Sequence, residues 1–278
     1  MENTVKNIFT VDLEDWFYSH EYNNAYDKAK KNELDFILQD NIKTILNMLK
    51  EADCTATFFT LGAIAESLPG LINEILDKGH EIASHGYDHK FLSSLKENNF
   101  SEDLEKTNSA IYKASGVFPI GYRAPCFVIY PWIFKRLKSF GFIYDSSFTQ
   151  RGLIQNQEHF KDILQNSEMY QMKEFPLNSF KILNMYIPCS GGGYFRFYPY
   201  PVFRYLFKNS VNSFGMRIFY IHPWELNNSI DKKLIKGIPR LKNFYGISSI
   251  KNKLGKLFED FEFISFEKFL EIKQINLR

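Results

Sequence analysis

Gly79-His80-Glu81-Ile82-Ala83-Ser84-His85-Gly86-Tyr87-Asp88-His89 is the stretch on which the reading of the fold turns. Gly79 to Ala83 reads as a short buried strand opening after a glycine turn. His85 and His89 follow its end, four residues apart, a spacing that on one turn of helix puts both imidazoles on one face, where they can hold one metal ion. A second stretch completes the set: Thr10-Val11-Asp12-Leu13-Glu14-Asp15-Trp16 closes a strand in a run of acids. Two histidines and a carboxylate from strand ends have the ingredients of a metal site with open positions. Taken alone, the histidine pair reads more readily as two solvated side chains on a loop, and the other segments reverse that balance.

Outward from these stretches, strand and helix patterns alternate. Ile8 to Leu13 and Thr55 to Leu61 read as buried strands, separated by the helical spacing of Ile37, Ile42, Ile45, Leu46 and Leu49. The polar segment from His20 to Leu34 reads as a surface loop near the mouth. Ser101-Glu102-Asp103 opens a helix that stops at Gly116, with its acids suited to a helix start. Strand ends follow at Tyr122-Arg123 and Tyr144-Asp145, with helices around Trp132–Leu137 and Glu158–Leu164. Glu174 to Pro188 is extended, Ser190 to Gly193 a flexible turn, and Arg217 to His222 the last barrel-type strand. Basic helices around Lys232–Lys236 and Lys251–Lys256, read as solvated faces, lead to a closing strand and helix between Phe261 and Ile272. With no repeat and no linker, the alternation predicts one α/β domain with a mostly parallel sheet.

Composition fits a large core. The chain has 278 residues, 45% of them apolar and 24% charged, so disorder is excluded, and its net charge of +2 gives no reason to expect nucleic acid or a membrane surface as a partner. Cys54, Cys126 and Cys189 are distant and odd in number, and define neither a disulfide framework nor a zinc knuckle. No apolar run has the length of a membrane span or a signal peptide, which sets a cytoplasmic expectation, with room for peripheral recruitment to a membrane glycan-assembly system.

Asp12, His85, Arg123, Asp145 and His222 all stand at strand ends, the place where barrel enzymes build their sites. Singly, each has a plainer reading: a strand-end cap, a surface ion pair, a helix cap, a core histidine. The order of segments resembles the polysaccharide deacetylases of carbohydrate esterase family 4 over roughly the whole chain. The resemblance rests on Thr10-Val11-Asp12, Thr55-Ala56-Thr57-Phe58-Phe59, Gly79 to His85, Tyr122-Arg123-Ala124-Pro125, Asp145-Ser146-Ser147 and His222-Pro223. Val11 to Phe17, Gly192-Gly193-Tyr194-Phe195-Arg196 and His222-Pro223-Trp224-Glu225-Leu226 look like a subgroup associated with exopolysaccharide and cell-surface glycan loci.

That resemblance implies a single-domain deformed (β/α) barrel of about seven strands over residues 1–278, with a C-terminal extension from about 227. It implies metal-assisted removal of an N-acetyl, or O-acetyl, group from a sugar, oligosaccharide or glycan precursor. Asp12 would be the general base, Arg123 would hold it charged and oriented, His85 and His89 would bind the metal, His222 would be the general acid, and Asp145 would orient His222. The expected cofactor is one divalent ion, zinc first, with cobalt, nickel or manganese as alternatives. A related hydrolase of a small cyclic amide or imide, and an inactive glycan-binding module, are the competing readings.

Two departures from the family pattern stand out. Leu13 replaces the second of two adjacent aspartates, so the carboxylate ligand is Glu14 or Asp15. Strand alternation turns Thr10, Asp12 and Glu14 inward and Phe9, Val11 and Leu13 toward the helices, favouring Glu14, whereas a bend after Leu13 would bring in Asp15. Cys126-Phe127 stands where a glycine commonly lies two residues after the proline, which reshapes the cleft wall at Pro125. A nucleophilic role for Cys126 has no neighbouring base to support it. Gly191 to Arg196 lacks the lysine and spacing of a phosphate loop. It reads either as a turn that brings Tyr194 and Arg196 to the sugar cleft or as a simple turn between strands. Trp16 and Trp224 each follow a site segment and read as sugar-stacking rings or as core.

Overall fold

A parallel sheet, exposed to water on neither face, demands strands that are apolar on both sides. The first strand meets that demand: in β1 (Lys6–Leu13) every residue from Ile8 to Leu13 is buried. The computed structural model describes residues 5–15, 31–149, 152–153, 157–210, 214–226 and 244–274. After β1 come α1 (Lys31–Glu51), β2 (Thr57–Thr60), α2 (Gly62–Ser67), α3 (Pro69–Asp77), β3 (Glu81–Ser84), α4 (Glu97–Ser115) and β4 (Gly121–Tyr122). The chain continues through α5 (Ile133–Ser139), β5 (Tyr144–Asp145), β6 (Gly152–Leu153), α6 (Gln157–Met169), β7 (Lys173–Glu174), β8 (Ser179–Ile182) and β9 (Met185–Pro188). It ends with α7 (Gly192–Phe197), α8 (Tyr200–Lys208), β10 (Met216–Ile221), α9 (Ile247–Asp260), β11 (Phe263–Ile264) and α10 (Phe266–Ile272).

The main sheet runs β10-β1-β2-β3-β4-β5-β7, all parallel, with β11 beside the start of β1. It is the curled, incomplete barrel that the sequence predicts. Its register aligns the strand ends: Leu13 pairs with Thr60, Thr60 with Ser84, Ser84 with Tyr122, Tyr122 with Asp145, and Asp145 with Glu174. Between β7 and β10 the Asn178 side chain stands in for a strand, donating to Met216 O at 3.1 Å and accepting from Ile218 N at 2.6 Å. Ser190 O accepts from Tyr220 N at 2.7 Å and extends the closure toward the site.

Packing follows the predicted alternation. Phe9, Val11 and Leu13 join Leu38, Ile42 and Leu46 of α1 and Leu254 and Leu257 of α9 in the layer outside the sheet. Ile8 faces inward with Phe59, Ala83, Tyr144, Phe175 and Phe266, a mostly aromatic filling of the barrel interior. Gly121 is required there, because a Cβ would fall 2.0 Å from the Tyr144 ring.

Several boundaries differ from the sequence reading. Helix α4 starts a turn before Ser101, whose hydroxyl bonds back to Glu97 O at 3.2 Å as an interior residue does. Residues 31–34, read as loop, begin α1, while the rest of the His20–Leu34 segment and the Lys232–Lys236 helix lie outside the described residues. Gly192 and Gly193, read as part of a turn, open the short helix α7.

Candidate active site

The first acids leave the sheet at a tight bend. Glu14 N donates to Asp12 O at 2.8 Å, and this lets Asp12, Glu14 and Asp15 all be buried although they are nearly consecutive. Asp12 Oδ1 receives Arg123 Nη1 at 2.6 Å. The guanidinium is fully buried: Nη1 also donates to Thr10 Oγ1 at 2.9 Å, Nε to Ser146 O at 2.9 Å and Nη2 to Ser146 Oγ at 3.1 Å. Its face lies 4.0 Å above the Phe59 ring centroid, so the interior aromatic layer is the platform on which the Arg123–Asp12 pair stands.

His85 and His89 meet, but not on a helix. Residues 85–90 are irregular, with Gly86 at φ 76° and His89 at φ 62°, so the helical spacing that suggested a shared face is not the cause of their meeting. A pinned loop does it instead. Gly62 N and Ala63 N, opening α2, donate to Gly86 O and Tyr87 O at 2.9 Å each, and Asp103 Oδ2 of α4 accepts from Tyr87 N at 3.1 Å. The two rings come to 5.4 Å between centroids. Arg123 O lies 2.8 Å from His85 Nδ1, which therefore carries the proton and leaves Nε2 free to act as a ligand.

Glu14, His85 and His89 form the one group of three or more potential ligands found among the described residues, with ligand atoms within 4.8 Å of one another. Glu14 Oε2 lies 2.6 Å from His89 Nε2 and 3.8 Å from His85 Nε2, buried without a well-formed hydrogen bond. A buried carboxylate oxygen in that position, facing two imidazole nitrogens, fits a divalent cation. Burial raises the Glu14 carboxyl, but the surrounding histidines outweigh it and hold it down at about 2. Burial pushes His85 down to about 4, so both are in ligating form at neutral pH. Asp15 is buried outside this group.

His222 follows β10 and closes the arrangement from the other side. Its Nε2 is 3.5 Å from Glu14 Oε1 and 3.9 Å from Asp12 Oδ2, while Nδ1 is 2.6 Å from Glu225 Oε1. Burial would lower its pKa, but the hydrogen bond and charge of Glu225, aided by Glu14 and Asp12, lift it to about 9. Here the structure corrects the expected pairing of His222 with Asp145. Asp145 instead accepts from Ser147 N at 3.0 Å and Ser147 Oγ at 2.7 Å, and it bonds with Glu174. Ser147 Oγ in turn accepts from Ala124 N at 2.7 Å, so Asp145 braces the segment around Arg123. Burial raises the carboxyls of both Asp145 and Glu174, and for Glu174 the charge of Asp145 beside it adds to the rise.

The expected sugar contacts divide. Trp224 is half-buried, stacked 5.5 Å from the His222 ring, and Tyr194 is 38% exposed. Arg196 does not reach an open cleft: it is buried, with Nε 2.8 Å from Glu225 Oε2. Pro125 is buried next to Gly86, and Trp16 lies outside the described residues. Phe127, where the family pattern has glycine, takes the left-handed backbone glycine would adopt, at φ 59°, and packs its ring 4.9 Å from Tyr220. Cys126 is exposed beside it, and none of the three cysteines is in a disulfide. Sequence reasoning misses Glu225 and Glu174; the available signal for Glu225 is its place three residues after His222 in His222-Pro223-Trp224-Glu225-Leu226.

Residues 25–144 match the family described as polysaccharide deacetylase, and residues 147–271 match a family described as a domain of unknown function, DUF3473. A peptidoglycan-N-acetylglucosamine deacetylase of Listeria monocytogenes is 35% identical over 81 residues, 29% of this chain and 17% of that protein. One from Bacillus cereus is 30% identical over 113 residues, 39% of this chain and 40% of that protein, so the chain spans well under half the length of either relative. A Mycobacterium smegmatis structure assigned to the polysaccharide deacetylases shares the fold, with a TM-score of 0.61 at 19% identity over 96% of this chain and 89% of that one. Residues 25–144 thus match the polysaccharide deacetylase family, and the curled parallel sheet shares the fold of the Mycobacterium smegmatis structure.

Proposed function

We propose that this protein is a metal-dependent hydrolase that removes the N-acetyl group of an acetamido sugar in a glycan or glycan precursor. One observation carries the reading: a Glu14–His85–His89 ligand group, an Arg123-held Asp12 and a Glu225-held His222 converge at one end of one sheet. The two named relatives act on N-acetylglucosamine of peptidoglycan, which supports the substrate class.

A divalent ion held by Glu14, His85 and His89, zinc in this reading, would polarise the acetyl carbonyl and acidify the attacking water. Asp12 takes the proton of that water, and the two bonds Arg123 makes to Asp12 Oδ1 and Thr10 Oγ1 keep the carboxylate aimed. His222, whose pKa of about 9 keeps it protonated at neutral pH, gives its proton to the sugar nitrogen as the C–N bond breaks. Acetate and a free amino sugar are the products.

Acetate release tests this directly. The zinc-loaded chain is offered N-acetylglucosamine oligomers, peptidoglycan strands and lipid- or nucleotide-linked acetamido sugars. Release from at least one, with the matching free amine, is expected; no acetate from any of them contradicts the reading.

A further inference from the structure

The general acid and the metal ligands come from different stretches of chain. His85, His89 and Arg123 lie within residues 25–144, whereas His222, Trp224, Glu225 and Arg196 all lie in the 147–271 region whose family description assigns no function. The sheet makes no such division: β10 from that region pairs with β1, and β7 with β5. We propose that the DUF3473 region is the acid-bearing half of the catalytic unit, and that its buried Glu225–Arg196 pair positions the His222 ring. This rests on the reading of His222 as the proton donor.

Three constraints fix the ring. Glu225 Oε1 lies 2.6 Å from His222 Nδ1 and 3.2 Å from the His222 backbone N, so one oxygen locks side chain and main chain together. Trp224 stacks on the ring at 5.5 Å and 23°, which sets its plane. Nε2 is then left pointing at Asp12 and Glu14. Glu225 is fully buried, and a buried carboxylate needs a partner; Arg196 supplies it at 2.8 Å while lying over the Trp224 ring at 5.2 Å.

The rest of the region is shaped to bring Arg196 there. Gly191 lies against β10 so closely that a Cβ would fall 2.0 Å from Tyr220 O, and α7 starts at the next residue. At its far end Lys253 Nζ of α9 donates to Phe195 O at 3.2 Å, Arg196 O at 2.9 Å and Tyr198 O at 2.8 Å. Gly246 completes the fit, since a Cβ there would meet Arg196 O at 2.6 Å. A glutamate serving only to cap the turn after His222 would need the backbone N–H alone. The bond to Nδ1 and the buried arginine are what a positioning role requires.

The test uses the zinc-loaded full chain with ¹⁵N-labelled histidine. The protein has 6 histidines, and His222→Ala assigns the His222 signals by difference. A hydrogen-bonded His222 Nδ1–H resonance at low field is expected in the parent protein and in Asp145→Asn, and its loss is expected in Glu225→Ala. Should Glu225→Ala not fold, Glu225→Gln keeps an acceptor for the backbone N–H, and the same resonance is expected to move upfield. Persistence of the signal unmoved in the Glu225 variants, or its loss in Asp145→Asn, overturns the proposal. On an N-acetylglucosamine oligomer, Glu225→Ala is expected to lower kcat about 10²-fold with KM changed less than about threefold, and Arg196→Lys to retain more kcat than Arg196→Met. Parent-level kcat in Glu225→Ala also overturns it. If the parent protein itself releases no acetate, the functional reading falls, and the resonance alone decides whether Glu225 holds the ring.

Discussion

At the scale of single residues, Glu14 and Asp15 are neighbours, both buried, and chemically almost alike, yet only Glu14 groups with His85 and His89. Glu14→Gln is expected to lower zinc content to a small fraction of one equivalent, while Asp15→Asn retains zinc and loses stability instead; metal analysis and denaturant unfolding on the same samples check both. Asp12→Asn is expected to cut turnover by about 10² or more with zinc content unchanged, because it would remove the proposed base and leave the proposed ligands. Near-normal turnover would take Asp12 out of the mechanism. Strand alternation made the inward set legible: Thr10 and Asp12 do face Arg123, and Phe9, Val11 and Leu13 do pack under the helices. The acid side was not legible. The resemblance pairs Asp145 with His222 and the glycine turn offers Arg196 to the cleft, whereas which carboxylate meets which histidine is decided by tertiary contacts that no local spacing encodes. Glu174 illustrates the same limit, since only the β5–β7 pairing puts it against Asp145.

At the scale of elements, the histidine loop depends on what lies behind it. The α2 start and Asp103 hold its backbone, and the Tyr87 ring covers Gly62. A Cβ on Gly62 would meet Tyr87 Cδ2 at 2.6 Å and Thr107 Cα at 3.0 Å, and the backbone of α4 cannot yield as a flexible side chain would. Gly62→Ala is therefore expected to destabilise the fold by about 1–3 kcal/mol, as overpacking does, and to weaken zinc binding by displacing the loop. Denaturant unfolding with and without zinc separates the two effects; unchanged stability and affinity would show that the loop is held elsewhere. The histidine pair meets without the helical turn that its spacing suggests, because the loop after the strand end turns at Gly86 and brings the two rings together.

At the scale of the whole molecule, one register brings the proposed ligands and base together from strands distant in the chain, and protonation would govern whether the ligands accept a cation. Burial pushes His89 down, but the Glu14 carboxylate beside it outweighs burial and leaves its pKa raised. A proton on His89 must leave before it can ligate. His85 at about 4 and Glu14 at about 2 have already lost theirs at any pH above about 5. Zinc affinity is thus expected to fall about tenfold per pH unit as pH drops below the raised His89 value, and to level off above it. Calorimetric titrations across that range check the slope; a flat profile would mean that no ligand binds a proton there.

The most direct measurement joins metal to chemistry in a single titration. Zinc is added back to the chelator-stripped chain while acetate released from an N-acetylglucosamine oligomer is followed. The predicted result is activity rising linearly to a plateau at one zinc per chain, with Glu14→Gln and His85→Ala flat throughout. Acetate release by the stripped protein, or full activity in either variant, would contradict it.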